Sequence, residues 1–362
     1  MIDIIHQHLH KDYELVLLTG FLNPRNIPLD KSVKVHMLKS YDRSSTLKRL
    51  YSWLFFTFEC WWLLIFKYRK SAIYCVSNPP FSIWFGVFFK RSIAYLIYDV
   101  YPNALVSTKL VSSNNFIVKK WKCWNKRAFS KAETIFTISG GMKELLEEYV
   151  ANSKIEVVPV WTDNTFLKPI PKSENKLVRG WKLQDKFVVM YSGNLGRTHP
   201  VEVLIELGNE LRSQPIEFLI IGEGEKKEAL KEMIHHYGLS NVRLLPYQPT
   251  ELLPYSLTVA DLAVVTLANE AGQLSVPSKT FNLMSCGLPI MAIAPEDAEL
   301  SHLLEKYESG RCFDEQQLVK MKQFILSLFE DEELKRSYAN KSLQASNDFT
   351  PVNAEKLIFN AL

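Results

Sequence analysis

The sequence predicts an α/β protein built from two doubly wound, parallel-sheet domains in series. Short apolar runs, most of them ending at glycine, proline or a polar turn, alternate with amphipathic stretches along the chain. One polar, proline-bearing stretch near the middle, around Pro169 and Pro171, interrupts the alternation before it restarts. The length of 362 residues also exceeds that of one typical domain.

Taken in order, Ile5, Leu9 and Tyr13 stand four apart and predict a short helix leading into the first strand, Glu14 to Gly20. Five further strands are expected at 33–37, 72–77, 93–98, 134–139 and 155–160. Residues 1–163 thus form a first domain and 164–181 a linker. In the second domain, 182–345, strands are expected at 187–191, 217–221, 242–245, 262–267 and 290–294. The last stretch, 346–362, reads as a helix crossing back to the first domain. His6, His8 and His10 suit neither one helical face nor a metal site and are read as surface residues.

Net charge is +4, but residues 1–170 hold 23 Lys and Arg against 13 Asp and Glu. That basic half favours an anionic surface as partner. Nucleic acid is not expected, because no binding motif accompanies the charge. Three segments combine aromatic and basic residues. Trp53 to Phe66 is short for a bilayer span and carries Glu59, so it reads as a core or interfacial helix. Trp84 to Arg91 repeats the pattern. In 117–131, Ile117, Trp121, Trp124 and Ala128 form one stripe with lysines on other faces, which reads either as a membrane-surface helix or as a helix packing its tryptophans on its own sheet. The five cysteines are odd in number and never in CxxC spacing, so neither a disulfide framework nor a metal centre is expected. The start has no basic segment followed by an apolar one, and no signal peptide is read there.

The stretch Val276 to Pro289 (VPSKTFNLMSCGLP) opens with a helix-start signal and ends at Gly287 before an apolar run. Ser278 could cap this helix, and Lys279 adds a positive charge at the end where backbone N–H groups favour an anion. The same stretch is also an ordinary helix-to-strand connection. Its company is more specific. SGNLG (Ser192 to Gly196), IGEGE (Ile221 to Glu225), LPYQP (Leu245 to Pro249), ADLAVVTL (Ala260 to Leu267) and VPSK…SCGLPI follow in order. This set resembles the donor-binding domain of family 4 glycosyltransferases of the GT-B fold, two Rossmann-like domains facing a cleft. The nearest likeness is to the bacterial polysaccharide branch (colanic-acid and O-antigen type, fucosaminyltransferase-like). SNPPF, YDVYP, TISGGM and VVPVWTDNT in the first half are similar to that branch as well.

The resemblance implies a retaining transfer of a sugar from a nucleotide-sugar donor to an acceptor hydroxyl; together with the basic, tryptophan-rich first domain it leads to the expectation of a lipid-linked saccharide acceptor at the inner face of the cell membrane. It implies neither a bound metal nor a cofactor; the diphosphate leaving group is held by backbone N–H groups and cations. Mapped onto this sequence, Gly193, Asn194, Gly196, Gly222 and Glu223 form the diphosphate turns. Arg197 takes the cationic role with help from His199, or is a solvated turn residue. Lys279 is the second cation, supported by Ser278. Tyr247 and Gln248 hold the base, or form a plain loop. Asp99, at the end of a first-domain strand, orients or deprotonates the acceptor hydroxyl, or caps a helix. The family's paired glutamates fall on Leu274 and Asn282, with Glu270 nearby, so neither carboxylate is present. The family's first strand and its glycine loop, which precede the first helix, have no counterpart. Two other readings follow: a non-catalytic, membrane-docked partner of another transferase, or a sugar-nucleotide epimerase of the same fold.

Overall fold

The computed structural model describes residues 1–9, 13–22, 28–42, 44–107, 111–197, 199–267 and 276–359. The chain divides into two compact units: Met1–Pro159 with Val352–Leu362, and Val160–Pro351. The C-terminal segment is thus part of the first unit. It contains a 3-10 helix, Pro351–Leu357.

The first unit begins with α1 (Ile2–Leu9) and contains two sheets. β1 (Val16–Thr19) pairs in parallel with β2 (Lys34–Met37). β3 (Ile73–Val76), β4 (Ile93–Ile97), β5 (Thr134–Thr137) and β6 (Ile155–Val157) form a four-stranded parallel sheet in chain order. β4 is buried along its whole length, as its uninterrupted apolar sequence requires of a strand covered on both faces. Tyr95, in its centre, is fully buried and satisfies its hydroxyl by donating to the Ile83 carbonyl at 2.8 Å.

α2 (Thr46–Phe66) starts at Ser45, whose hydroxyl accepts from the Lys48 amide. Cys60 and Leu64 face the core, whereas Leu47, Leu50, Tyr51, Leu54, Phe58, Trp62 and Phe66 recur at helical spacing on the opposite side and are exposed. α3 (Phe116–Ser130) behaves in the reverse way. Trp121 and Trp124 pack on Trp84, with ring centroids 5.6 and 5.0 Å away, and Trp121 also stacks on Phe81 and Tyr101. The tryptophan stripe therefore covers its own domain, and the unpartnered apolar face lies on α2 instead. Among the described residues no helix is long and apolar enough to cross a membrane.

His8 is buried, contrary to the surface position expected for it. Its Nδ1 lies 2.8 Å from the Ile4 carbonyl and its Nε2 accepts from the Phe359 amide at 2.9 Å, so both ring nitrogens are used inside the unit. His10 lies outside the described residues.

The second unit has one six-stranded parallel sheet. In chain order the strands are β7 (Phe187–Ser192), β8 (Ile216–Ile221), β9 (Val242–Leu245), β10 (Leu262–Thr266), β11 (Ile290–Ile293) and β12 (Gly310–Phe313); in space they run β12-β11-β10-β7-β8-β9. β12 is absent from the sequence expectation because GRCF carries no apolar run. Its glycine is required by packing, since a Cβ on Gly310 would lie 1.9 Å from the Ile290 carbonyl oxygen. A buried carboxylate, Asp261, anchors the start of β10. It accepts from the Val188 amide at 2.8 Å, pairs with Lys335 at 3.2 Å, and bonds Lys172.

Candidate active site

In the second sheet, β7 has β8 on one side and β10 on the other, so the chain order reverses there. Such a reversal opens a crevice at the C-terminal ends of the strands, where ligands of doubly wound folds bind. The residues beyond the ends of β7, β8 and β10 converge on it.

The turns after β7 and β8 interlock through their backbones. Gly193 donates its N–H to the Ile221 carbonyl and Leu195 to the Glu223 carbonyl, each at 2.9 Å. A Cβ on Gly222 would lie 2.0 Å from the Gly193 oxygen. Gly224 sits at φ +156° with Leu195 backbone atoms 2.5 Å from where a Cβ would be, so both the space and the torsion exclude a side chain. With these bonds made, the Asn194 and Gly196 amides have no partner among the described residues.

Lys279 opens α4 (Lys279–Ser285) and returns its ammonium to the first turn. Its Nζ stands 4.1 Å from the centroid of the Tyr191 ring, and a Cβ on Gly193 would come within 2.9 Å of it. Burial pushes the Lys279 amine down to about 7. Tyr191 donates its hydroxyl to the Asn194 carbonyl at 2.7 Å, which fixes the ring beneath the lysine. His199 Nδ1 lies 2.9 Å from the Thr266 hydroxyl at the end of β10, and burial, then the nearby Lys279 charge, lowers its pKa. A half-buried ammonium with no carboxylate partner among the described residues, beside two amides, is an arrangement suited to an anion.

The other expected residues divide. Gly193, Asn194, Gly196, His199, Gly222 and Lys279 meet at this crevice. Arg197 does not; its guanidinium is 85% exposed and paired with Glu225 across the surface. Glu223 contributes its carbonyl while its carboxylate pairs with Lys227 at 2.8 Å. Ser278 makes no side-chain cap bond, because its helical backbone (φ −57°, ψ −27°) departs from the extended cap geometry. The Asn282 side-chain oxygen accepts from the Thr162 hydroxyl at 2.6 Å. Tyr247 is half exposed, and Gln248 folds back on the Pro246 carbonyl at 2.9 Å. Glu270 and Leu274 lie outside the described residues.

Asp99 follows β4 in the first unit. It retains an exposed edge, yet crowding around its carboxyl raises the pKa, and its amide donates to the Ser77 hydroxyl at 3.2 Å. Sequence reasoning missed Tyr191 and Thr266. Each is a polar side chain within two residues of the end of an apolar strand, which is the signal that could have found them. Among the described residues no group of three or more His, Cys, Asp or Glu could hold a metal ion.

The two Rossmann-like units, each with a parallel sheet, define the GT-B class of folds. The chain aligns with sucrose-phosphate synthase from Thermosynechococcus elongatus at a TM-score of 0.74 (15% identity; 98% of this chain, 90% of the other). It aligns with Anabaena HepE in complex with UDP at 0.72 (15% identity; 98% and 94%). It also aligns with WaaG, a glycosyltransferase involved in lipopolysaccharide biosynthesis, at 0.71 (11% identity; 99% and 95%). Residues 173–344 match the family model of glycosyl transferases group 1. In sequence it is similar to WcaI of Escherichia coli K12, assigned as a colanic acid biosynthesis glycosyl transferase (27% identity over 232 residues; 62% of this chain, 57% of the relative). It is also similar to WbjE of Pseudomonas aeruginosa, assigned as a glycosyltransferase (23% over 247 residues; 67% and 62%). The matched region spans under two thirds of either relative.

Proposed function

We propose that the protein is a retaining glycosyltransferase. It moves a sugar from a nucleotide-sugar donor to a lipid-linked saccharide in the synthesis of a bacterial surface polysaccharide, such as capsule or O-antigen. One observation carries the reading. Lys279 is half-buried, lowered to about 7 and held over Tyr191 against a glycine turn, where a diphosphate would supply a negative charge. As the bond from the sugar to the diphosphate breaks, charge builds on the leaving phosphate. Lys279 and the Asn194 and Gly196 amides are aimed at that charge, so they stabilise the transition state more than the ground state. His199, lowered in pKa and seated on Thr266, supplies a neutral hydrogen-bonding group beside it. Asp99, with its raised pKa, is the candidate to orient or deprotonate the acceptor hydroxyl.

The exposed face of α2 supports peripheral contact with the inner surface of the cell membrane. Its leucines and aromatics alternate with Lys48 and Arg49 and are followed by Lys67, Arg69 and Lys70, which suits an anionic bilayer. A panel of nucleotide sugars with membrane lipid extracts tests transfer, and flotation with vesicles with and without phosphatidylglycerol tests the surface. Absence of both transfer and donor hydrolysis with every sugar would reject the enzyme.

The Asn282–Thr162 bond favours one second reading, a donor-binding partner that performs no transfer, because the position holds no carboxylate. Calorimetry separates them: UDP binding without turnover of any sugar nucleotide assigns the partner.

A further inference from the structure

Thr266 stands where three parts of the crevice meet. It is the last residue of β10 and is fully buried. Its hydroxyl lies 2.9 Å from His199 Nδ1, and its backbone carbonyl is a second acceptor for the same ring. On its other side the hydroxyl meets the Tyr191 hydroxyl as a hydrogen-bond partner.

The protons in this network can be counted. Tyr191 has one hydroxyl proton and gives it to the Asn194 carbonyl at 2.7 Å. Toward Thr266 it therefore offers only lone pairs, and the Thr266 hydroxyl proton goes to it. The Thr266 oxygen is left to accept, and its carbonyl can only accept. Both Thr266 groups thus require a proton on His199 Nδ1. A neutral imidazole carries a single N–H, so Nε2 is left with its lone pair.

The surroundings keep the ring neutral. Burial, then the charges of Lys279 and Lys226, disfavour a positive imidazole. Lys226 donates to the His199 carbonyl at 2.8 Å and is itself paired with Glu202. The far edge of the ring is turned to the glycine turn: Cδ2, bonded to Nε2, is 3.8 Å from the place of a Cβ on Gly196. Lys279 in its charged form and the Asn194 and Gly196 amides can only donate. Nε2 is an acceptor set among these donors. A bare diphosphate offers it no proton, whereas a ligand with a hydroxyl beside its anionic group does.

We propose that Thr266 is the positioning residue of His199: it fixes the Nδ1–H tautomer, and the Nε2 so presented accepts from a hydroxyl of the donor sugar. The fixing of the tautomer is independent of any activity, whereas the hydroxyl contact rests on the nucleotide-sugar reading.

The test is nitrogen NMR of the full chain labelled with 15N at histidine, at about pH 8, where an imidazole of ordinary or lowered pKa is neutral. The His199 signals are assigned by their loss in His199→Gln. The free protein should show one protonated and one lone-pair nitrogen, the latter identified as Nε2 by strong coupling to both ring C–H protons. Thr266→Val keeps the side-chain shape without the hydroxyl and should give a mixture of tautomers; Thr266→Ser should restore the single one. UDP should leave the Nε2 signal in place, and a sugar nucleotide that binds should move it in the direction of an accepted hydrogen bond. Thr266→Val should weaken that sugar nucleotide about tenfold and change UDP affinity by less than about twofold. A lone pair on Nδ1 in the free protein, or an unchanged tautomer in Thr266→Val, would overturn the positioning role whatever the activity. An Nε2 shift with UDP alone, or none with any sugar nucleotide that binds, would overturn the hydroxyl contact. Binding of no nucleotide would reject the nucleotide-sugar reading and the contact with it, while the tautomer result stands on its own.

Discussion

The two units solve the same architectural problem to different extents. In the second, six parallel strands pair without a break, and both faces are closed by extensive apolar clusters. In the first, a two-stranded and a four-stranded sheet stand apart with an apolar cavity between their edges. Two charged groups, one from each unit, differ in burial. Asp261 in the second unit is buried and bonded to two lysines and an amide, whereas the Glu14–Lys34 pair across β1 and β2 is exposed on both sides. Where a sheet is complete, its ends can be tied down by buried polar groups, and a precise ligand crevice can be built on them. Exposed pairs, Glu14–Lys34 in the first unit and Arg197–Glu225 in the second, contribute little.

Substitutions should expose that contrast, beginning with the largest effect. Asp261→Ala leaves Lys172 and Lys335 without their carboxylate and the Val188 amide unpaired. It should destabilise the second unit by about 3–5 kcal/mol in urea denaturation. A loss of less than about 1 kcal/mol would show that the buried network is not what anchors β10. Gly310→Ala drives a Cβ into the Ile290 carbonyl and should cost about 3 kcal/mol by the same measurement, with the first unit's transition unmoved.

Lys279→Met should weaken UDP binding by about 10- to 100-fold in calorimetry while leaving the fold intact, because a cation–phosphate bond is lost and a desolvated charge removed. An unchanged affinity would move the anion site elsewhere. The pH dependence follows from the same residue. With the amine near 7 in the free protein and raised by a bound diphosphate, binding must take up a proton. The uptake should be about half a proton at pH 7 and approach one near pH 8, read from calorimetry in buffers of different ionisation enthalpy. Affinity should accordingly fall as pH rises above 7. At the small end, Glu14→Gln should leave the urea midpoint of the first unit where it was, since the pair it breaks is solvated.

How far the sequence reveals all this differs by level. Strands such as Ile93–Ile97 and Phe187–Ser192 are legible because a fully buried parallel strand has to be a continuous apolar run. β12 is not, since Gly310 is dictated by the approach of the Ile290 backbone in the neighbouring strand. At the site, the glycines and Lys279 are legible from their order along the chain. Tyr191 and Thr266 are not, because what makes them matter is proximity to Lys279 and His199 after folding. Arg197 is legible as a cation at that spacing, but its pairing with Glu225 is visible only in the fold. The α3 tryptophans show that periodicity fixes which residues share a face, and only packing fixes what the face meets.

The division of the chain also sets an order of events during synthesis. The second unit is one contiguous stretch, 160–351, and every residue it needs is present before the chain ends. The first unit needs both Met1–Pro159 and Val352–Leu362, including the Phe359 amide that closes on His8. The unit made first by the ribosome is therefore the last that can be completed. Its apolar α2 face and open strand edges are displayed to the cell throughout translation of the other.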